Sequence, residues 1–274
     1  MSFKAACVQI NAARDAAPNI EAAAKWARAA RAEGAELILF PENASMMEPD
    51  HKRLLEKAVT QDEDAALKAF RQLALETGAW ILIGSLPIRL AGDKVANRSF
   101  LVNAQGEIAA YYDKIHMFDV DFGGGEAYRE SEEREPGSRA VIADAPWGKL
   151  GMSICYDVRF PHLYRALAKG GARFLTVPAA FTRSSGEAHW HVLLRARAIE
   201  NGCFVFAPAQ CGEHAQGRRT FGHSLIVDPW GTVLADGGDG AGFVIAEIDP
   251  SLADEARRKI PSLTHDRPFR LEEA

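Results

Sequence analysis

Short, uninterrupted apolar runs separated by helical segments restrict how this chain can fold more than any other feature. ELILFPE (36–42) and RFLTVPA (173–179) carry apolar side chains at consecutive positions. Strands of that kind are buried on both faces, so helices must cover the sheets they form. KAACVQI (4–10) reads as the first strand. The Ala-rich segment 18–33 reads as a helix, with Pro18 near its start and Gly34 as its stop. A second helix, 62–77, places Leu67, Phe70 and Leu73 at helical spacing and stops at Gly78. Strands WILIGSLPI (80–88), SFLVN (99–103) and AAYYDK (109–114) follow.

The pattern then repeats from KLGMSICYD (149–157). Pro161 opens a helix with Leu163 and Leu167 on one face and Gly170-Gly171 at its exit. After RFLTVPA, the segment Ser184-Ser185-Gly186-Glu187 reads as a capping box for a helix ending before Gly202. CFVFAPA, HSLIVDP, TVLAD and GFVIAEI complete the strands. The expectation is an α/β protein with helix-covered sheets, and a single domain over 1–274, because no linker or low-complexity run interrupts it.

Composition narrows the function classes. The 274 residues are 47% hydrophobic and 25% charged, the balance of a chain with a sizeable core. A net charge of −5, with both signs interspersed, provides no clustered basic face, so no nucleic-acid partner is expected. No apolar run reaches membrane-spanning length, and MSFKAACVQI passes straight into a strand without a signal peptide. No membrane association and a cytoplasmic location are expected. Cys7, Cys155, Cys203 and Cys211 have irregular spacing, which points neither to a disulfide framework nor to a zinc site.

Ligands of open α/β sheets collect at the carboxyl ends of strands. Two such ends carry reactive groups, Glu42 in LILFPEN and Cys155 in GMSICYDVRFP, and Lys114 follows the strand in YYDKIHMFD. Singly, each has an ordinary reading: a solvated turn carboxylate, a small core thiol, a surface amine. Together they form a chemical set. A carboxylate can take the thiol proton, and a nearby ammonium favours the thiolate and steadies the oxyanion formed when sulfur attacks a carbonyl.

Histidine is the usual alternative base, but His162, His189 and His191 have no nucleophile signature around them. His189 and His191 stand two apart on a helix and so face different ways, and no metal site is expected. Trp190, Val192, Leu193 and Ile199 read as core-facing, and Arg195, Arg197 and Glu200 as helix-surface or interface ion pairs. Cys7, Cys203 and Cys211 read as structural. The acidic stretch GGGEAYRESEEREPG (123–137) reads as a solvated loop, made flexible by its three glycines.

These segments resemble the nitrilase-type carbon–nitrogen hydrolases over nearly the whole chain. FPEN resembles the family's general-base segment, Tyr112-Asp113-Lys114-Ile115-His116 its lysine segment, and CYDVRFP its nucleophile elbow, in family order. Tyr128-Arg129-Glu130-Ser131 corresponds to the segment bearing a second glutamate. The resemblance implies a four-layer αββα sandwich and hydrolysis of a small carboxamide to an acid and ammonia through a thioester on Cys155. It implies Glu42 as base, Lys114 and the Tyr156 N–H as oxyanion donors, Glu130 as orienting group, and no cofactor or metal.

It also implies a homodimer or higher homo-oligomer, with the tail, about 255–274, at an interface. VPAAFTRSSG makes Phe181 and Thr182 candidate substrate contacts, and Arg183 and Arg129 are the nearest basic candidates for a substrate's carboxylates. Within the family, AQCG and GHSLIVDPWG look most like the deaminated glutathione amidase branch, ahead of the omega-amidases acting on α-ketoglutaramate, and of nitrilases and carbamoylases. A catalytically idle binding protein on the same fold is the alternative outside the enzymes. One departure from the family stands out: Gly123-Gly124-Gly125 lies where many relatives have proline.

Overall fold

On the first strand, β1 (Phe3–Gln9), Ala5 and Cys7 face one side, Ala6 and Val8 the other, and all four are fully buried. Such a strand has to lie between two covered faces, and this period-two alternation sets the layering of the protein. The structure, a computed structural model, describes residues 1–92 and 94–273.

The first half continues through α1 (Ala16–Ala32), β2 (Leu37–Leu39), α2 (His51–Lys57), α3 (Ala65–Thr77), β3 (Trp80–Arg89), β4 (Val95–Val102) and β5 (Ile108–Asp113). A small hairpin, β6 (Asp119–Asp121) with β7 (Ala127–Arg129), leads through α4 (Glu130–Glu133) to the second half. That half runs through β8 (Val141–Ala145), β9 (Gly148–Met152), α5 (Pro161–Lys169), β10 (Phe174–Thr176), α6 (Arg183–Asn201) and β11 (Phe204–Ala207). It ends with β12 (Cys211–Glu213), β13 (Arg219–Phe221), β14 (Leu225–Val227), β15 (Val233–Asp236), β16 (Gly242–Ile248) and α7 (Ser251–Lys259).

Two six-stranded sheets result, ordered β16-β1-β2-β3-β4-β5 and β15-β14-β11-β10-β9-β8. Each has a parallel centre, β1-β2-β3 in one and β9-β10-β11 in the other, flanked by antiparallel strands. One core joins the facing sheets: Cys7, Leu37, Leu39, Leu82 and Leu101 pack with Leu150, Met152, Phe174, Phe206 and Leu225. On the outer face of the first sheet, Ile38, Ile81 and Ile83 meet Ala23, Ala27 and Ala30 of α1 and Leu67, Phe70 and Leu73 of α3. Trp190, Leu194 and Ala198 of α6 and Leu163 and Leu167 of α5 cover the second sheet. This is the four-layer αββα sandwich the resemblance implied.

Local chemistry moved several boundaries. The second helix starts at Ala65 rather than 62, because the Asp64 side chain caps it by accepting from the Leu67 N–H at 2.7 Å. Helix α6 starts at Arg183, ahead of the proposed capping box, and Glu187 pairs with Arg183 instead. The 123–137 stretch is not merely a loop. It contains β7 and α4, and Gly123-Gly124-Gly125, all at positive φ, form the tight turn of the hairpin. Val192 and Ile199 are not core residues: they lie on the solvent side of α6, 66% and 52% exposed, whereas Trp190 is buried.

Arg197 is no surface group either. It is buried and donates to the Val158 carbonyl at 2.9 Å while pairing with Glu200. Cys7, Cys203 and Cys211 are buried and free, in keeping with a structural reading. Burial pushes the Cys203 and Cys211 thiols up to about 11. Among the described residues, no helix is long and apolar enough to cross a membrane.

Gly84 on β3 positions the site most directly. A Cβ there would lie 2.1 Å from the Phe40 carbonyl oxygen and 2.4 Å from the Pro41 carbonyl carbon, so only glycine lets this backbone cross β3. Ser85 holds the next turn: its hydroxyl accepts from the Asn43 N–H at 2.8 Å and its carbonyl from the Ala44 N–H at 3.0 Å. Gly84→Val should therefore destabilise the protein by about 1–3 kcal/mol, the usual cost of overpacking, and displace Glu42. A melting temperature and activity equal to wild type would show that the crossing is not a constraint.

Candidate active site

Three strand ends build the site. Beyond β2, Phe40 and Pro41 carry the chain to Glu42, and Asn43 then turns it back at φ 57°. Lys114 follows β5 directly, its N–H donating to the Asn97 carbonyl at 3.0 Å. Cys155 opens the 3₁₀ turn Cys155–Arg159 beyond β9. Its φ of 48° is a left-handed conformation that costs a non-glycine residue energy and persists only where its surroundings enforce it.

Asp157 supplies much of that enforcement. One carboxylate oxygen accepts from the Ile154 N–H at 2.8 Å and the Tyr112 hydroxyl at 2.7 Å. The other meets the His116 N–H at 3.1 Å and His116 Nδ1 at 2.7 Å. The residue two places after Cys155 thus ties the elbow to the end of β5 and to the segment just after Lys114. On the other side, Gln210 donates to the Glu42 and Asn43 carbonyls at 3.0 and 3.3 Å. The AQCG segment therefore braces the Glu42 backbone, and Gln210 does not line the cleft.

Lys114 Nζ donates to Glu42 Oε1 at 2.9 Å and to both Glu130 oxygens at 3.1 and 2.8 Å. Its three N–H bonds are all directed at carboxylates. The Ala180 N–H donates to the other Glu42 oxygen at 2.9 Å, and the Phe118 N–H to Glu130 at 2.8 Å. Asn97 escaped the sequence reading: its amide donates to Glu42 Oε1 at 2.9 Å and Glu130 Oε1 at 3.1 Å, holding the two acids side by side. An asparagine in a strand buried between the facing sheet and the helix layer was the available signal, because such a polar group must find buried partners.

The electrostatics assign the resting protons. Burial opposes the charge on Glu42, but the Lys114 ion pair and hydrogen bonds outweigh it and hold the carboxyl below its ordinary range. Burial likewise opposes the Lys114 charge, and the Glu130 and Glu42 carboxylates more than restore it. Burial and the Glu42 charge drive the Cys155 thiol well above its ordinary value, and Lys114 only partly offsets them. Glu42 is thus an anion beside a neutral thiol. The ammonium favours the thiolate, as expected from the sequence, but burial and the neighbouring carboxylate outweigh it, so the thiol keeps its proton at rest. The arrangement suits proton removal concerted with attack.

A cleft of about 950 Å³ opens over these groups, within the size range of small-molecule sites. Tyr156, Phe181 and Thr182 all line it, as do Arg129 and Arg183. Phe181 is 5% exposed and packs on Trp190 with ring centroids 4.9 Å apart. The Thr182 hydroxyl is engaged with Ser185 Oγ at 2.7 Å. Tyr156 stands second in the 3₁₀ turn, where a backbone N–H has no partner within the turn.

The two basic candidates are already committed: Arg183 to Glu187 at 3.1 Å, Arg129 to the Val120 and Tyr128 carbonyls at 2.9 and 2.8 Å. His189 and His191 part as expected. His189 meets Arg159, while His191 joins His223 and Asp236 in a cluster whose ligand atoms lie within 4.8 Å of one another. None of those three lines the cleft.

Two outcomes follow. Asn97→Ala removes a donor shared by two charged acceptors, and should cut kcat/KM by about 10- to 100-fold, as expected for ~1.5–3 kcal/mol, with the fold retained by circular dichroism. Unchanged kinetics would show the amide to be a bystander. Because Glu42 is held below 4.5, it stays charged as pH falls, and the acid limb of kcat/KM should lie below that value. Because the thiol is raised, no thiolate-driven increase should appear from pH 7 to 9. A rate–pH profile rising through that interval would contradict the protonation pattern.

Comparison with known proteins agrees with this fold. A model of the carbon–nitrogen hydrolase family matches residues 4–258. The chain is 41% identical over 267 residues to the deaminated glutathione amidase of Synechocystis sp. (strain PCC 6803), covering 96% of this chain and 97% of that protein. It is 39% identical over 268 residues to the Homo sapiens protein of the same name, covering 96% of this chain and 82% of the relative. Among solved structures, the C. elegans NitFhit protein has a TM-score of 0.91 at 35% identity, covering 97% of this chain and 65% of that longer fusion chain. Saccharomyces cerevisiae Nit3, a member of branch 10 of the nitrilase superfamily, has a TM-score of 0.87 at 29% identity, covering 98% of this chain and 97% of that one. Matched over most of its length in both sequence and fold, this chain belongs to the carbon–nitrogen hydrolase family.

Proposed function

We propose that this chain is a deaminated glutathione amidase using Glu42, Lys114 and Cys155 as its catalytic set, with Glu130 orienting Lys114. The observation that carries the chemistry is the buried Lys114 ammonium between two carboxylates, beside a cysteine in a left-handed elbow. The substrate is supported by the name shared by the relatives of about 40% identity.

Glu42 takes the Cys155 proton as sulfur bonds to the amide carbon, and the carbonyl electrons move to oxygen. The Tyr156 N–H and Lys114 receive that oxyanion. Lys114 frees a donor by loosening one of its two contacts to Glu130, which Asn97 and the Phe118 N–H continue to hold. The oxyanion collapses, the C–N bond breaks, and Glu42 passes its proton to the leaving nitrogen. A primary amide would release ammonia. In deaminated glutathione the scissile amide joins the 2-oxoglutaryl unit to cysteinylglycine, so the dipeptide amine leaves instead. Water then gives a proton to Glu42 and attacks the thioester. The second oxyanion collapses with cleavage of the C–S bond, and the sulfur recovers the proton from Glu42.

The reading extends to one catalytic domain acting in the cytoplasm as a homodimer. Val192 and Ile199, seven positions apart on the exposed side of α6, and Phe269 and Leu271 of the tail, each 91% exposed, support an interface there. Arg165 and Lys169 of α5 hold Asp266, so the tail leaves from beside those helices.

Cys155→Ala should abolish turnover, Lys114→Met should lose at least about 10²–10³ in kcat, the cost of one oxyanion donor, and Glu42→Gln about 10²–10⁴, the contribution of a general base. Wild type should show a higher kcat/KM on deaminated glutathione than on α-ketoglutaramate, and little activity on a simple nitrile. A preference for α-ketoglutaramate in side-by-side steady-state kinetics would make it an omega-amidase, and an active Cys155→Ala enzyme would overturn the mechanism.

A further inference from the structure

Two arginines in the cleft have guanidinium nitrogens with nothing to bind. Arg134 is 7% exposed, and its Nη1 is buried without a hydrogen-bond partner among the described residues. Arg218 is half-buried, and its Nε is likewise buried and unpartnered. Neither has a carboxylate within ion-pair distance among the described residues, although every other guanidinium or ammonium of the cleft is engaged. Lys114 binds Glu42 and Glu130, Arg183 pairs with Glu187, Arg219 with Glu213, and Arg129 donates to two carbonyls.

An unsatisfied buried donor on a charged group is costly, more so than on a neutral one. Two such groups facing one cavity raise that cost, because their charges repel. Burial lowers the Arg134 pKa, the carboxylates of Glu130, Glu133 and Glu42 pull it back, and Arg218 adds to the depression. Neither arginine was singled out by its sequence context, and they reach the cleft from segments far apart in the chain.

Their attachment indicates which part of a ligand they face. The Arg134 N–H donates to the Glu130 carbonyl at 2.9 Å, one turn from the glutamate that holds Lys114. Arg218 Nη2 donates to the Ala180 carbonyl at 3.0 Å, and the N–H of that same residue holds Glu42 at 2.9 Å. The Arg218 guanidinium also lies over the Tyr128 ring, 5.3 Å from its centroid, which fixes its plane. Both cations therefore lie near the Glu42–Lys114–Glu130 cluster: Arg134 feels the Glu130 and Glu42 charges, and Arg218 and Glu42 bind the same residue, Ala180.

We propose that Arg134 and Arg218 form an anion subsite that binds a carboxylate in the acyl half of the substrate, the half that stays on Cys155 as the thioester. Guanidinium forks suit carboxylates, and such contacts gain strength in a site shielded from water. In the reading above, this carboxylate is the acid end of the 2-oxoglutaryl unit. The inference rests on that reading for the substrate's name but not for its charge.

The test compares wild type, Arg134→Met and Arg218→Met on three amides: deaminated glutathione, α-ketoglutaramate and pentanamide, which keeps the acyl chain length but has no carboxylate. For each variant, the ratio of kcat/KM on either carboxylated amide to that on pentanamide should fall by about 10- to 100-fold, from charge-assisted bonds of ~1.5–3 kcal/mol. In parallel, calorimetric binding of α-ketoglutarate to Cys155→Ala should weaken by at least about 10-fold when either arginine is also replaced. This arm reads the subsite even if pentanamide turns over too slowly to measure.

A ratio that does not change, or α-ketoglutarate binding that does not weaken, overturns the proposal. A loss confined to deaminated glutathione would move the contact to the leaving half and overturn the acyl assignment. A wild type that prefers α-ketoglutaramate while the ratios still collapse would refute the named substrate and support the subsite. Should Arg134→Met fail to fold, the half-buried Arg218→Met carries the same comparison.

Discussion

A single ammonium, buried between two carboxylates, is the interaction on which the rest of the site depends. Lys114 is 1% exposed, and three carboxylate oxygens lie within 3.1 Å of its nitrogen. Buried charges are tolerable only when paired, and removing one partner leaves the others exposed to a large desolvation penalty. The surrounding donors follow from this need. Asn97, the Ala180 N–H and the Phe118 N–H complete the hydrogen bonding of Glu42 and Glu130, so that in the proposed reaction the acids would keep their positions when Lys114 shifts a donor to the oxyanion.

The same cluster explains why the nucleophile rests as a thiol. With the Glu42 carboxylate beside it in a buried position, a thiolate would add an anion next to an anion. In the proposed mechanism, loss of the proton is therefore coupled to formation of the carbon–sulfur bond, and no pre-formed thiolate is exposed to adventitious electrophiles. The strained elbow belongs to this design. Cys155 at positive φ is held by hydrogen bonds to Asp157 from its neighbour Ile154 and from Tyr112 and His116, which reach across from the first half of the chain.

Around this charged centre, the cleft separates chemistry from recognition. The groups of the proposed catalytic set are balanced among themselves, with every donor on Lys114 matched to an acceptor. Arg134 and Arg218, in contrast, retain unsatisfied donors at its border. In a buried site such a surplus favours an anionic ligand over a neutral one, and this is a basis for choosing among amides that share the same reacting atoms.

Sequence alone determined the layered α/β architecture, because continuous apolar strands such as Leu37–Leu39 and Phe174–Thr176 can only be buried between covered faces. Glu42, Lys114 and Cys155 were legible too, since each sits in a short motif at or near the end of a strand, whereas Glu130, in a stretch that reads as a solvated loop, was legible only through the family resemblance. Tertiary structure decided what those motifs share. Asn97 and Asp157 became bridges only when β4, β5 and the elbow met. Gln210 proved to brace Glu42 from 168 residues away. Val192 and Ile199 turned outward because period 3.6 does not say which face of a helix a sheet will cover. The protonation of Cys155 and the unpartnered state of Arg134 and Arg218 were likewise beyond the sequence. Both depend on burial and on neighbours brought from distant segments, and the energy of a charge is set by what surrounds it in space, not by what precedes it in the chain.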